Sequence, residues 1–128
     1  MTSYLLDTHA AIWFFDGNNM LSEIANEIIR DLSNPIFLSI ASAWELAIKI
    51  GLGKLDFDGK LADFVRLAET NDITILPIKI AHLTALESLP LIHRDPFDRL
   101  LVATALAENM TLITADGNIT RYNVLQVW

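Results

Sequence analysis

The chain has 128 residues, 52% of them apolar and 20% charged, with a formal net charge of −7 and no cysteine. That length suits one domain with a sizeable core. The missing thiols exclude disulfides and thiolate metal sites, and the acidic balance argues against a generic polyanion-binding surface unless cations sit among the acids. The start, MTSYLLDTHA, has no basic leader region, and Asp7 interrupts its apolar run. No window approaches the ~18 apolar residues of a membrane span, so a cytoplasmic protein that does not enter a membrane is expected.

Ser3 to Leu6 reads as a short apolar strand ending at Asp7, and Thr8 opens a helix, THAAIWFFD, that Gly17 ends. Ser22 to Leu32 is a second helix with Ile24, Ile28 and Ile29 at helical spacing. Its capping box is imperfect, because Ala25 stands where an acid would complete it. Asn34-Pro35 breaks the chain before a strand at Ile36 to Ser39. The next helix, Ala41 to Ile50, contains Ser42-Ala43-Trp44-Glu45, a capping-box match, and ends at Gly51-Leu52-Gly53. Asp58-Gly59 turns into an amphipathic helix, Lys60 to Thr70, with Leu61, Phe64, Val65 and Ala68 on one face. Ile73 to Leu76 is the third strand, stopped by Pro77, and Ile80 to Ser88 is a helix that Leu89-Pro90 ends.

The stretch HRDPFDRLLVATALAENMTLITADG, His93 to Gly117, organises the rest. Asp95 reads as an N-cap, Pro96 occupies the first turn, and Asp98 follows three residues after the cap. Leu100 to Ala107 is apolar on nearly every side, so this helix is expected to be buried on more than one face. Asp98 shares a stripe with Leu101, Val102 and Ala105, which aims its carboxylate toward the packed side. Thr111 to Ile113 is a short buried strand, Thr114 to Gly117 the loop at its carboxyl end, and Val124 to Val127 a last strand.

Strands separated by helices imply parallel pairing, and their apolar runs fit a sheet covered on both faces. The expected fold is a single three-layer α/β/α domain over residues 1–128, with a mostly parallel sheet of about five strands. In such sheets, sites form at the carboxyl ends of strands. Asp7, Glu45, Asp98 and Asp116 all belong to that edge. Each has a local explanation as a cap or turn residue, but four such coincidences are less economical than one shared cause. Clustered carboxylates raise one another's pKa and remain ionised together when a cation neutralises them. With oxygen ligands only, Mg2+ or Mn2+ is the chemical match.

YLLDTHAAIW, the segment around Trp44-Glu45-Leu46, HRDPFDRLLVATAL and LITADGNI with Tyr122 beyond it resemble the PIN-domain ribonucleases, and among these the VapC-type toxins of toxin–antitoxin pairs. The likeness covers essentially the whole chain, and HRDPFDRLLVATA is specific as a block. It implies a PIN-like fold, a Mg2+- or Mn2+-dependent endoribonuclease selective for single strands, an RNA substrate and a small antitoxin partner. By this resemblance the family's acids fall on Asp7, Glu45, Asp98 and Asp116, and Thr114 supplies the hydroxyl residue near the last acid. Asp95 belongs to the subgroup's longer motif and reads as a helix cap.

Asp7 and Asp98, leaving core elements at the sheet's centre, are expected to bind the principal ion. Glu45 and Asp116 complete the acidic ring, through water or with a second ion. A bound cation would activate a water for in-line attack, leaving a 5′-phosphate and a 3′-hydroxyl. No histidine is required, and His9 and His93 stay outside the catalytic set. Arg94, Arg99 and Lys49 are candidates to steady the RNA backbone, although solvation of the surface accounts for each as well.

Two other classes remain open: a catalytically silent PIN-like scaffold and a metal-assisted phospho-acceptor domain. The second would want a paired acid after the first strand, an acceptor at the end of the third and a lysine after the fifth. Here Thr8 and His9 follow Asp7, the third strand ends in Leu76-Pro77, and no matching lysine is seen. Trp13, Phe14 and Phe15, with Met20, Leu21 and Ile24, exceed what one small core requires. Two interfaces would absorb them: a twofold homodimer, and a groove for an amphipathic antitoxin segment. An arginine from the antitoxin would pair with the carboxylates and displace the metal.

Overall fold

The computed structural model describes residues 1–54 and 57–128. Its elements run β1 (Tyr4–Leu6), α1 (Thr8–Asp16), α2 (Glu23–Arg30), β2 (Ile36–Ser39), α3 (Ile40–Gly51), α4 (Leu61–Thr70), β3 (Ile73–Leu76), α5 (Ile80–Glu87), α6 (Pro96–Glu108), β4 (Thr111–Ile113) and β5 (Gln126–Val127). The strands form one sheet in the order β3-β2-β1-β4-β5, and every pairing is parallel.

Alternation along the short strands divides the core into two layers, because successive side chains leave opposite faces of a sheet. Leu6, Ile36, Leu38 and Ile113 face one cluster with Ala10, Ala11 and Ile12 of α1, Ile29 of α2, Leu46 of α3 and Phe64 of α4. Leu5 and Leu112 face the other, with Leu101, Val102 and Ala105 of α6 and with Ile119 and Tyr122. Both faces are covered, the three-layer α/β/α arrangement expected of an all-parallel sheet. The apolar α6 is the most deeply buried helix, with Val102, Ala103 and Thr104 fully enclosed. Thr104 bonds its hydroxyl to Leu100 O at 2.7 Å, which removes the cost of burying it. Among the described residues no helix is long and apolar enough to cross a membrane.

Helix starts follow the chemistry of their caps. Ser22 Oγ accepts from Ala25 N at 3.0 Å, and Asp95 Oδ1 accepts from Phe97 N at 2.8 Å and Asp98 N at 3.1 Å, with Pro96 in the first turn. Gly17 closes α1 in the left-handed region, φ 62°, where a Cβ would be strained.

Several expected boundaries shift. The cap of α3 is Ser39, whose Oγ accepts from Ala41 N at 2.9 Å. Ser42 is therefore not a cap: β2 runs into α3 without a linker, and Ser42 lies inside the helix. Helix α2 ends at Arg30, since Asp31 has extended backbone, instead of reaching Leu32. The last strand is confined to Gln126–Val127, because Val124 N is held in a turn by Tyr122 O at 3.0 Å.

The aromatic run on α1 is half-buried, not exposed. Phe15 meets Phe64 edge-on with centroids 5.3 Å apart, Phe57 meets Phe64 at 5.7 Å, and Trp13 meets Trp128 at 5.9 Å. Phe64 is thus the centre of an aromatic cluster that ties α4 to α1. Phe64→Ala is expected to cost about 3–5 kcal/mol in urea unfolding, since it removes both edge contacts and leaves a cavity.

Candidate functional site

The strand order reverses at β1 and β4: the chain leaves β1 toward β2 on one side, while β4 lies on the other. Crevices form at such a reversal, outside the carboxyl ends of the strands. Leu6 pairs with Ile113 in register, so Asp7 and Thr114 are the next residues out. They meet directly. Thr114 donates its hydroxyl to Asp7 Oδ2, Asp7 Oδ1 accepts from Ala10 N at 2.7 Å as the cap of α1, and Asp7 N donates to Ile113 O at 3.1 Å. Asp116 N then donates to Thr114 Oγ1 at 3.1 Å, and Asp116 Oδ1 accepts from Asn118 N at 2.8 Å, which turns the loop back over the edge.

Glu45 reaches the same place from α3, two turns beyond β2. It is almost fully buried, with Oε1 accepting from Thr8 Oγ1 at 2.9 Å and Oε2 from Lys49 Nζ at 2.8 Å. Thr8 Oγ1 also lies 2.9 Å from Ser42 Oγ, so the residue expected as a cap instead buttresses the first turn of α1. Asp98 enters from the first turn of α6, and its Oδ2 lies 3.0 Å from His93 Nε2.

These side chains line one cleft of about 210 Å³, bounded by Asp7, Thr8, His9, Glu45, Lys49, His93, Asp95, Asp98, Asp116 and Asn118. Larger grooves exist on the molecule, including one of about 410 Å³ beside Phe14 and Phe15. Charge, not volume, distinguishes this cleft. All four acids anticipated from the sequence stand in its walls, and Asp95 joins them as a fifth. The tightest grouping within it is His93, Asp95 and Asp98, whose ligating atoms lie within 4.8 Å of one another.

Crowding and burial tell on the carboxyls. Burial pushes Asp7 above the usual carboxylate range, against the pull of its bonds from Thr114 and Ala10. Asp98 is pushed up to about 6, first by burial and then by the Asp95 charge; Asp116 and Glu45 add to this and His93 opposes it. Lys49 moves the other way from a buried base: its bond to Glu45, reinforced by Asp95 and Asp98, holds its ammonium above the usual range. A hard divalent ion fits this donor set, because carboxylate oxygens dominate it and no sulfur ligand is present.

Other anticipated residues are placed differently. Thr114, expected at the substrate, is buried between Asp7 and Asp116 and hydrogen-bonded to both. Arg99 commits its guanidinium to Pro90 O at 2.9 Å, Tyr122 Oη at 3.0 Å and Leu89 O at 3.4 Å. Arg94 is exposed, and neither arginine lines the cleft. The cation that does is Lys49, one helical turn after Glu45, a spacing that in sequence resembles an ordinary surface pair. His93, kept outside the catalytic set by its sequence context, stands in the wall of the site as well. It is held there because Tyr122 Oη accepts from His93 N at 3.0 Å, a contact across 29 residues that no local pattern signals.

The PIN domain family profile matches residues 4–125. Ribonuclease VapC22 of Mycobacterium tuberculosis is 32% identical over 126 aligned residues, which span 93% of this chain and 91% of that protein. VapBC2 from Rickettsia felis, solved bound to a DNA fragment from its promoter, superposes with a TM-score of 0.71 at 17% identity over 98% of both chains. DNA-bound VapBC from Salmonella typhimurium gives 0.69 at 15% identity over 100% of this chain and 98% of that one. At such low identities, these superpositions speak for the fold.

The raised carboxyl of Asp98 sets a pH dependence for the metal-free protein. The folded state holds this proton up to about pH 6, whereas an unfolded aspartate releases it near the ordinary value of 3.8. Within that window the native state binds more protons, so stability falls as pH rises from about 4 to about 6. In urea unfolding with chelator present, Asp98→Asn is expected to remove that part of the slope and to be more stable than wild type at pH 7. Equal slopes in the two proteins would contradict the assignment.

Proposed function

The chain belongs to the PIN-domain family, and from that premise we propose that it is a Mg2+- or Mn2+-dependent endoribonuclease, the toxin of a toxin–antitoxin pair, acting on RNA in the cytoplasm. The observation that carries this reading is the cleft itself: Asp7, Glu45, Asp95, Asp98 and Asp116 converge at the β1–β4 reversal, with Lys49, among the described residues, as the one lysine or arginine in its wall. Such a group of like charges is a poor structural choice and a good cation site.

In this reading Asp7 and Asp98 hold the principal ion, with Glu45 and Asp116 completing the ring. A divalent ion there supplies Lewis-acid polarisation of the phosphate and lowers the pKa of a water. The chain's own residues do the positioning. Thr114 orients Asp7 and anchors the Asp116 loop; Thr8 and Lys49 orient Glu45; His93 orients Asp98. Hydrolysis adds water oxygen to phosphorus and breaks the P–O3′ bond, leaving a 5′-phosphate and a 3′-hydroxyl. The phospho-acceptor alternative finds no support at β3, which is a sheet edge ending in Leu76-Pro77.

The antitoxin partner has a suitable surface. Phe14, Phe15, Ile29, Leu32 and Leu67, together with Arg30, Thr70, Asn71 and Asp72, line the open 410 Å³ groove between α1, α2 and α4, a mixed apolar and polar lining able to take an amphipathic helix. A basic antitoxin residue reaching the acidic cleft would compete with the metal for the carboxylates. A twofold dimer would cover further apolar surface, such as Ile40, Trp44 and Ile48 along α3.

RNA cleavage is expected to vanish with EDTA and return with Mg2+ or Mn2+. Asp7→Asn keeps a competent cap for α1 and is expected to lower cleavage by on the order of 10²-fold or more, the scale of losing one electrostatic group from a preorganised site. Its circular dichroism and unfolding midpoint should match or exceed wild type. Full activity in either experiment defeats the mechanism.

Phe14→Glu places a charge in the groove. It is expected to weaken antitoxin binding at least tenfold in a calorimetric titration while leaving RNA cleavage by the free toxin unchanged. Unaltered affinity would remove the groove from the partner interface.

A further inference from the structure

Glu45 and Lys49 are four residues apart on α3, but they are not an ordinary surface pair. The Glu45 side chain is only 6% exposed against 38% for Lys49, both Glu45 oxygens are taken by Thr8 and Lys49, and Lys49 lies in the wall of the acidic cleft. The Lys49 ammonium also feels Asp95 and Asp98 from the opposite wall. A strongly hydrated point charge on a flexible stem is the side chain best able to stand in for a small inorganic cation.

We propose that the Lys49 ammonium, bonded to Glu45 at 2.8 Å, is the resident second cation of this cleft, so that the site takes a single divalent ion. The inference rests on the metal-dependent reading given above and specifies its stoichiometry. Two-ion sites hold their metals roughly 3.5–4 Å apart, bridged by shared carboxylates. Glu45 is the acid on the α3 wall to which a second ion would turn, and it already carries a neutralising ammonium. An ion placed beside Glu45 would meet that positive charge at close range, because the ammonium lies 2.8 Å from the carboxylate it would have to share. Asp7, Asp98 and Asp116 remain for the single ion, on the walls formed by β1, α6 and the loop after β4.

The test counts bound Mn2+ on chelator-stripped full-length protein, by loss of the free-ion EPR signal and by calorimetry. Wild type is expected to bind one ion, and Lys49→Arg, which keeps the charge, also one. Lys49→Met is expected to bind two, because Glu45 is released as a ligand. The double variant Lys49→Met/Glu45→Gln should return to one and also relieves any instability from an unpaired buried Glu45. Two ions on wild type would overturn the proposal without recourse to any variant, as would one ion on a folded Lys49→Met protein. Wild type that binds no Mn2+ would sink the metal-dependent nuclease reading and this inference with it; one ion on both wild type and Lys49→Met would sink only the role given to Lys49.

Discussion

Asp7 is the point at which fold and site meet. One oxygen caps α1, the other takes the Thr114 hydroxyl, and the backbone N–H continues the β1–β4 ladder by one bond beyond the strands. These bonds join the first strand to the fourth at the reversal of the sheet. They also give a buried carboxylate enough donors to be tolerated without a salt bridge. The same carboxylate is turned to the cleft, so the side chain that fastens this corner of the sheet also stands at the site.

Around that corner the other acids arrive on separate elements, each with a structural role of its own. Asp95 caps α6, Asp116 closes the β4 loop, and Glu45 is tied to both α1 and α3. Such double duty explains how the protein carries mutually repelling charges in a small space. Each is held by a cap, turn or helix–helix bond whose energy is independent of the site. Burial first, and neighbouring acids after it, leave the carboxyls of Asp7 and Asp98 raised. A cation would offset this, so binding and stability are coupled through the same few side chains.

The apolar excess is divided in the same way between core and surface. Phe64 and its neighbours hold α4 on α1, yet Phe14 and Phe15 also line an open groove. Side chains that are half-buried in the monomer lose less entropy on meeting a partner than fully mobile ones, because their rotamers are already restricted. The groove and the acidic cleft are built on opposite ends of α1: Asp7 and His9 belong to the cleft, Phe14 and Phe15 to the groove. A partner lying along this helix would reach both.

The sequence by itself determined the parallel α/β class, all the strands and helices to within a few residues, and the edge to which Asp7, Glu45, Asp98 and Asp116 belong. The reason is that apolar periodicity, Pro and Gly punctuation and Asp or Ser caps are local signals, and in a parallel sheet strand ends define the site edge. Tertiary structure alone decided how the acids are held and what stands among them. Ser42 reads locally as a cap, but the direct join of β2 to α3 moves that role to Ser39 and frees Ser42 to meet Thr8. Arg99 reads as a phosphate contact, but the return of Tyr122 and the turn at Leu89 and Pro90 claim its guanidinium. Lys49 reads, like Arg99, as either a phosphate contact or a solvated surface residue, but the approach of α1 and α6 to α3 brings it into the cleft wall beside the carboxylates. In each case the deciding partner lies on a different element, tens of residues away for Ser42 and for Tyr122, and no periodicity along the chain encodes which polar groups will share a buried space.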